Sequence, residues 1–530
     1  LCGVCKFERG TSISFSKYCW MEGALFLDDT YWKRLRFVMI DIIQNKKIVI
    51  VVLTETGITL AKKISAELKN CEIHGLKNRV TKADYYFSDS VNHLRYLFDL
   101  GNLIIGVCAV GILVRAIASN VKDKKTDPPI IAISEDGKSI VPVLGGHSGA
   151  NRLSRYLAVI TGGHPAITTA GDLLFGISID EPPEGWKIPN PEKVKSLVAG
   201  LLDGESVRIE SSMENIPWII SSDLPISEKG SLSIKVTEKS IKKGERHLTF
   251  HPPILVLGVG CERGVTGNEL IELVEKTLGE NQLARESIAC IVSIDLKMDE
   301  SGIHQLADYL NLPTRFFTND ELESQTPFLK NPSDIVFSAV GCHGVSEGAA
   351  IAAVGRGGSL IVEKTKSEKA TIAIAKSSSD IDIHKIGIAR GKLNIVGLGP
   401  GKVDWRTSAL TDAIKDSTHV VGYKLYLDLV EDLLKGKECF FSELSQEESR
   451  ARKAIKLASS GHNVTLVCSG DAGIYALATL VFELIDRENC DDWNRIQIEV
   501  HPGISAFQAA AARVGAPMGH DFCAISLSNL

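Results

Sequence analysis

Residues 393–401 read Leu-Asn-Ile-Val-Gly-Leu-Gly-Pro-Gly, and residues 464–475 read Val-Thr-Leu-Val-Cys-Ser-Gly-Asp-Ala-Gly-Ile-Tyr. Each is a short apolar run that ends in a side-chain-poor glycine turn. The pair describes two parallel strands with tight loops at their carboxyl ends, where open α/β sheets bind ligands. The first loop is not a dinucleotide fingerprint. That pattern needs a third glycine at position 402, which is Lys402, and Pro400 interrupts the helix start. A nucleotide-like ligand fits these loops; an NAD-type turn does not.

Outward from this pair, residues 392–530 alternate strand and helix throughout, the α/β signature. Helices are expected over 406–416, 424–434, 446–460, 473–485 and 504–513, and a strand over 522–527. Upstream, 47–53 (KIVIVVL) with helical spacing over 58–69 makes a β-loop-α unit. A strand at 103–107, a hairpin around Asp136-Gly137 and a helix after Leu144-Gly-Gly-His147-Ser-Gly-Ala-Asn151 follow. A third unit begins at Ile254 (ILVLGVG), with strands expected at 288–294, 335–340, 359–362 and 370–375. The fold class is therefore α/β and multidomain. The expected divisions are a leader over 1–38, an α/β region over 39–180, a proline-rich linker and β-rich middle over 181–253, an α/β domain over 254–376, a linker over 377–391 and a last α/β domain over 392–530.

Composition excludes several classes. The 530 residues carry a formal net charge of -6, with 44% hydrophobic and 23% charged residues. There is no basic footprint for nucleic acid and no polybasic membrane patch. No apolar run reaches the roughly 18 residues a spanning helix needs. The 12 cysteines are scattered through strand-like runs. They read as free thiols in a reducing compartment, hence a cytoplasmic protein. Residue 1 is leucine, no secretory pattern follows, and Cys2-Gly-Val-Cys5 has no second pair. Translation is expected to begin at or near Met39, or 1–38 to be a remnant of something else. The last domain is expected to be cut at residue 530. No metal site is expected, since Cys342-His343 has no partners at ligand spacing.

Several residues carry chemistry by type and place. Asp471, between Gly470 and Ala472, accepts hydrogen bonds from a ligand or caps the following helix. His147 sits between glycines at a helix start, and imidazole titrates near neutral pH. Arg115 and Arg263 can pair bidentately with carboxylates, and Lys125 can do so as a point charge or serve as a solvated or paired surface charge. Asp295, Lys297 and Glu347 stand at strand ends or a helix start and are candidates for water activation or ligand binding.

Five segments occur in order at family spacing: GLGPG (397–401), GYKLYLDL (422–429), SGDAGIYALA (469–478), HPGISAFQAAAARVGAP (501–517) and HDFCAISLS (520–528). They resemble the tetrapyrrole methylases, which use S-adenosylmethionine (SAM). The second and last resemble precorrin-3B C(17)-methyltransferase in particular. The resemblance implies that Gly397, Gly399, Pro400 and Gly401 line the entry to a SAM site. It implies that Ser469, Gly470, Asp471, Ala472, Gly473, Ile474 and Tyr475 contact SAM, and that Pro502, Gly503, Ile504 and Ser505 form the neighbouring wall. Ala472 stands where the family more often has proline. The family has a second α/β domain after the ISLS strand and is commonly dimeric, which implies a homodimer through this domain. The reaction it implies is in-line methyl transfer coupled to ring contraction, catalysed mostly by positioning.

The N-terminal section resembles the cobalt-precorrin-5A hydrolases. GILVRAIA (111–118), KDKKTDP (122–128), VPVLGGHSGANRLSRYLA (141–158) and AITTAGD (166–172) match its first part. LGVGCERGV (257–265), IVSIDLKMDE (291–300), AVGCHGVSEGAA (339–350) and KATIAIA (369–375) match its second. The GCHG loop departs from the more usual GVPG, and GGHSGAN is shorter than the frequent GHxGGAN. The resemblance implies opening of a δ-lactone on a precorrin or cobalt-precorrin macrocycle, with acetaldehyde released. His147 and Glu347 are then the candidate catalytic residues. Arg115, Gly146, Asn151, Arg263, Asp295 and Lys297 are the candidate substrate-binding residues. Two alternatives stay open: a non-catalytic precorrin carrier fused to the methyltransferase, and methylation at another ring position.

Overall fold

The computed structural model describes residues 47–525 apart from 69, 124–125, 242–246, 435, 444, 517 and 524, together with a short antiparallel pair, Trp20–Met21 and Ala24–Leu25. The rest of the expected leader lies outside the described residues. The chain divides into two compact units, Leu1–Glu184 and Gly185–Leu530.

The first unit is built on a seven-stranded sheet. Its strands are β1 (Ile48–Val52), β2 (Cys71–Leu76), β3 (Tyr85–Phe87), β4 (Leu103–Val107), β5 (Ile130–Ile133), β6 (Ser139–Leu144) and β7 (His164–Pro165), in the order β3-β2-β1-β4-β5-β6-β7. β1 to β5 are mutually parallel and β6 returns antiparallel on β5. Helices α1 (Glu55–Glu67), α2 (Ser90–Asp99), α3 (Val110–Ile117) and α4 (Ala150–Thr161) cover both faces. β1 shows why its sequence is continuously apolar. Ile48, Ile50 and Val52 face a core shared with Ile58, Ile64 and Leu153, whereas Val49 and Val51 face a second core with Leu97 and Leu113. Neither β2 and β3 nor α2 was foreseen from the sequence; CEIHGL and YYF are too short and too mixed to show a period.

At the β2–β3 edge lies a polar cluster. Glu72 bridges Lys47 at 2.8 Å and the His74 Nε2 at 3.1 Å, and His74 Nδ1 is 2.9 Å from His93 Nε2. Burial, then the neighbouring His74, holds the His93 pKa down at about 4 against an ordinary 6.5. Burial alone would raise Glu72, but hydrogen bonds from His74 and Lys47 outweigh it and hold it at about 2 against 4.5. Both folded-state values are depressed, so both groups stabilise the fold at high pH and lose that contribution as pH falls. The His93 part is lost between 6.5 and about 4, and the Glu72 part between 4.5 and about 2. Calorimetry of a His93→Gln variant is expected to show a flatter fall in melting temperature over the upper window and an unchanged fall over the lower one.

The second unit opens with a three-stranded parallel sheet, β8 (Val207–Ser211), β9 (Leu232–Val236) and β10 (Leu248–Phe250). The middle region is therefore α/β, not simply β-rich. α5 (Glu192–Leu202), which buries Val194, Leu197 and Leu201 at helical spacing, packs on β9 and β10. Next comes a five-stranded sheet of β11 (Leu255–Cys261), β12 (Ile288–Ile294), β13 (Thr314–Phe317), β14 (Ser359–Lys366) and β15 (Ala370–Lys376), in the order β13-β12-β11-β15-β14, with helices α6 (Gly267–Asn281) and α7 (Ser301–Leu310) packed on each other between its strands in sequence. Residues 335–340, expected as a strand, lie instead in helix α8 (Asp334–Val340), capped by the Ser333 side chain and closed by Gly341 at φ 76°. A continuous apolar run of this length carries no period that separates helix from strand. Helix α9 (Val345–Val354) follows and packs across the sheet.

Residues 377–391, expected as a linker, are strapped to neighbouring structure. Asp380 accepts from the Trp186 indole at 2.7 Å, Ile386 is buried, and Ile388 exchanges two backbone bonds of 2.8 Å with Phe316. The last sheet holds β16 (Lys392–Gly397), β17 (His419–Tyr423), β18 (Glu438–Ser442), β19 (Asn463–Cys468) and β20 (Gln497–His501), all parallel, in the order β18-β17-β19-β16-β20. β18 was not anticipated, and the helix expected over 424–434 is broken into Lys424–Asp428 and Glu431–Leu434. In the strand expected over 522–527, residues 522, 523 and 525 are not in a strand and the others lie outside the described residues. No disulfide joins the described cysteines. No single helix among the described residues is long and apolar enough to cross a membrane.

Candidate functional site

β16 and β19 are neighbours, but their chains leave in opposite directions. β16 leads through α10 (Ser408–Asp416) to β17 on one side, and β19 leads through α11 (Leu477–Glu488) to β20 on the other. That reversal opens a crevice at the carboxyl ends. The loops there are tied backbone to backbone. Gly399 and Gly470 exchange two hydrogen bonds of 3.0 and 3.1 Å. A Cβ on Gly503 would overlap the carbonyl oxygens of Gly470 and Gly397, so only glycine allows this approach. Asp471 completes the tie, accepting from Gly473 N at 2.8 Å and Gly503 N at 3.1 Å. It does not cap the next helix, whose N-cap is Ala476.

These loops enclose a cleft of about 520 Å³. Ser469, Gly470, Asp471, Ile474, Tyr475 and Ser505 line it. Gly397 and Ala472 pack directly behind with Gly503. Gly399, Pro400, Gly401, Gly473, Pro502 and Ile504 belong to the same loops. Phe507, Met518 and Phe522, which the sequence reading did not single out, add apolar wall. Helix α12 (Ala506–Val514) starts at the cleft, with Ser505 and Gln508 closing a capping box. Exposed backbone polar groups beside aromatic and sulfur side chains suit an adenosine-like ligand with a short polar, charged tail. The residues present thus fit SAM.

In the first unit the loop Gly145–Gly149 follows β6, which runs against its parallel neighbours. It therefore emerges at their amino edge, where Gly145 at φ 70° abuts Pro129, just before β5. Asn151 is buried and donates to Thr169 Oγ1 at 2.9 Å, and the Gly146 Cα faces the Asn151 amide. Arg115, exposed in the last turn of α3, is carried back towards this same edge. So Gly146 and Asn151 lie together on the side opposite to the usual ligand edge. The side chain of His147 lies outside the described residues, as does Lys125.

In the second unit, Arg263 pairs with Asp299 and donates to the Leu296 carbonyl, and Lys297 lies 3.8 Å from Glu300. Arg263 thus ties its loop after β11 to the 295–300 loop, and Lys297 is held within that second loop. Burial raises the pKa of Asp295, partly offset by Arg495. Glu347 is a correction. It is 2% exposed and accepts from Lys330 N, Asn331 N, Asn331 Nδ2 and Lys364 N at 2.8–2.9 Å. Burial would raise its pKa, but the hydrogen bonds from Asn331, Lys364 and Lys330 outweigh it and hold it below the carboxylate range. A carboxylate this saturated bolts three segments together; it is not a general base. The sequence reading also missed a pairing: His343 Nδ1 lies 2.9 Å from Glu323. Cys342 beside it is fully buried, and among the described residues no group of three or more metal-ligating side chains gathers.

The family models for the N-terminal and C-terminal parts of cobalamin synthesis G match residues 92–172 and 255–375, and the tetrapyrrole (corrin/porphyrin) methylase model matches 392–529. The chain is 31% identical over 362 residues to the cobalt-precorrin-5A hydrolase of Priestia megaterium, covering 63% of this chain and 96% of that protein. It is 39% identical over 140 residues to the cobalt-factor III methyltransferase of the same organism, 26% of each chain. It is 39% identical over 139 residues to a precorrin-3B C(17)-methyltransferase of Sinorhizobium sp, covering 26% of this chain and 54% of that one. The fold and the cleft define a cobalamin-biosynthesis protein with a hydrolase-like section and a methyltransferase section. The chain belongs to the cobalt-precorrin-5A hydrolase family and continues into a tetrapyrrole methylase domain that spans about half the length of that C(17)-methyltransferase.

Proposed function

We propose that this chain acts twice on one class of macrocycle. Its first 376 residues open the δ-lactone of cobalt-precorrin-5A, and residues 392–530 contribute the SAM half-site of a C-17 methyltransferase. The observation that carries the methyl-transfer half is the cleft at the β16/β19 crevice, where Gly397 and Gly503 leave room only for backbone and Gly470 turns at φ 63°. SAM supplies an electrophilic methyl group when bound. Ser469 to Tyr475 and Ser505 hold and orient it, and the apolar wall excludes water. Methylation at C-17 with ring contraction is the acceptor reading, from the likeness of 422–429 to the C(17) enzymes. A homodimer through the methylase domain and a cytoplasmic location accompany this reading.

For hydrolysis, water attacks the lactone carbonyl and the ring C–O bond breaks, leaving a carboxylate and a hydroxyethyl group. The hydroxyl then gives up its proton and becomes the C=O of acetaldehyde as the C–C bond to the macrocycle breaks, the electron pair and a proton passing to the ring. Arg115 and the Gly146–Asn151 loop bind the macrocycle at the amino edge of the first sheet. Cobalt-precorrin-5A incubated with the chain is expected to release acetaldehyde, and His147→Ala is expected to lose release while still binding. Binding by the wild type without release would favour the carrier reading, which the saturation of Glu347 makes a real competitor.

A further inference from the structure

His343 and Glu323 form a feature that neither reaction above uses. Glu323 accepts from the His343 backbone N–H at 2.9 Å and lies 2.9 Å from its Nδ1, while the Thr326 hydroxyl donates to it at 3.0 Å. With Nδ1–H donated to the carboxylate, Nε2 keeps its lone pair. The imidazole ring stacks on Phe337 at 4.5 Å and remains a quarter exposed. Its Nε2 lies 3.6 Å from Asp334, whose own side chain is wholly exposed and free to swing away.

The surroundings are unusual for a soluble surface. α8 (DIVFSAV) has no buried residue; Ile335 exposes 84% and Phe337 45%, and nearby Phe328 exposes 63%. An imidazole with a fixed tautomer beside an apolar ledge is half of a metal site. With no cluster of three ligands among the described residues, it cannot hold a bare ion. A cobalt already held in the plane of a macrocycle lacks only axial ligands, and one imidazole satisfies one of them.

We propose that His343 donates Nε2 as an axial ligand to the cobalt of the macrocyclic substrate, displacing a bound water, with Glu323 fixing the tautomer and the α8 ledge bedding the apolar ring face. This rests on the reading that the substrate carries cobalt. It also accounts for a histidine in a loop that is more usually GVPG.

The test uses cob(II)inamide, a cobalt corrinoid with no axial base of its own, and electron paramagnetic resonance. One coordinating nitrogen splits the cobalt lines into triplets. The wild-type chain is expected to show triplets, and His343→Ala to lose them with an unchanged melting temperature. Glu323→Gln is expected to keep them at about tenfold weaker affinity, the usual loss for an outer-shell partner. Failure of the wild type to bind the probe, binding without triplets, or triplets that survive in His343→Ala would each overturn the proposal. Acetaldehyde release is read separately: release without nitrogen coupling refutes the axial ligand and leaves hydrolysis standing, and coupling without release does the reverse.

Discussion

Glu347→Ala is expected to destabilise the domain around β11–β15 by about 3–5 kcal/mol, since it strands buried donors that now share one carboxylate. The melting transition of that domain should fall by on the order of 10 °C. The effect is large because four donors from two places converge on it: Lys330 N, Asn331 N and the Asn331 side-chain amide from one turn, and Lys364 N from β14. Glu347→Gln, which keeps the shape but turns two donors towards donors, should fall between. Scanning calorimetry decides it. A melting temperature within a degree of wild type would show that the four bonds are dispensable and would return Glu347 to the list of candidate bases.

Gly503→Ala is expected to weaken SAM binding about 100-fold, or about 2.7 kcal/mol. The added Cβ would meet the Gly470 and Gly397 carbonyl oxygens. Both are backbone, so neither can rotate away; the 397–401 and 469–473 loops must separate and the cleft loses its shape. Calorimetric titration of SAM into the full-length protein, wild type and variant, measures this. Unchanged affinity would mean that SAM does not use this cleft.

The glycine loops were legible in the sequence because each ends an apolar run, and backbone contact demands the same residue whatever the rest of the fold does. The two-fold reading of Asp471 was not resolvable there. Capping the next helix and tying two loops need the same residue type, and only the position of Gly503, more than thirty residues on, separates them. α8 was misread for a related reason. An exposed helix is expected to be polar on one face, and DIVFSAV is apolar on both, so its composition reads as a buried strand.

By itself the sequence determined the α/β class, the order of the units and which glycine loops end which strands, because strand periods, turn residues and glycine requirements are local. Only the tertiary structure decided what those loops meet. It placed the GGHSGAN loop at the amino edge, because β6 runs antiparallel and reverses the end from which its loop emerges. It also showed Glu347 to be structural and His343 to be oriented by Glu323, because hydrogen-bond partners lie 16 to 20 residues away in sequence and are set by how helices and turns fold back. Side-chain chemistry is written locally; whether it is free to act depends on neighbours that the chain brings from a distance.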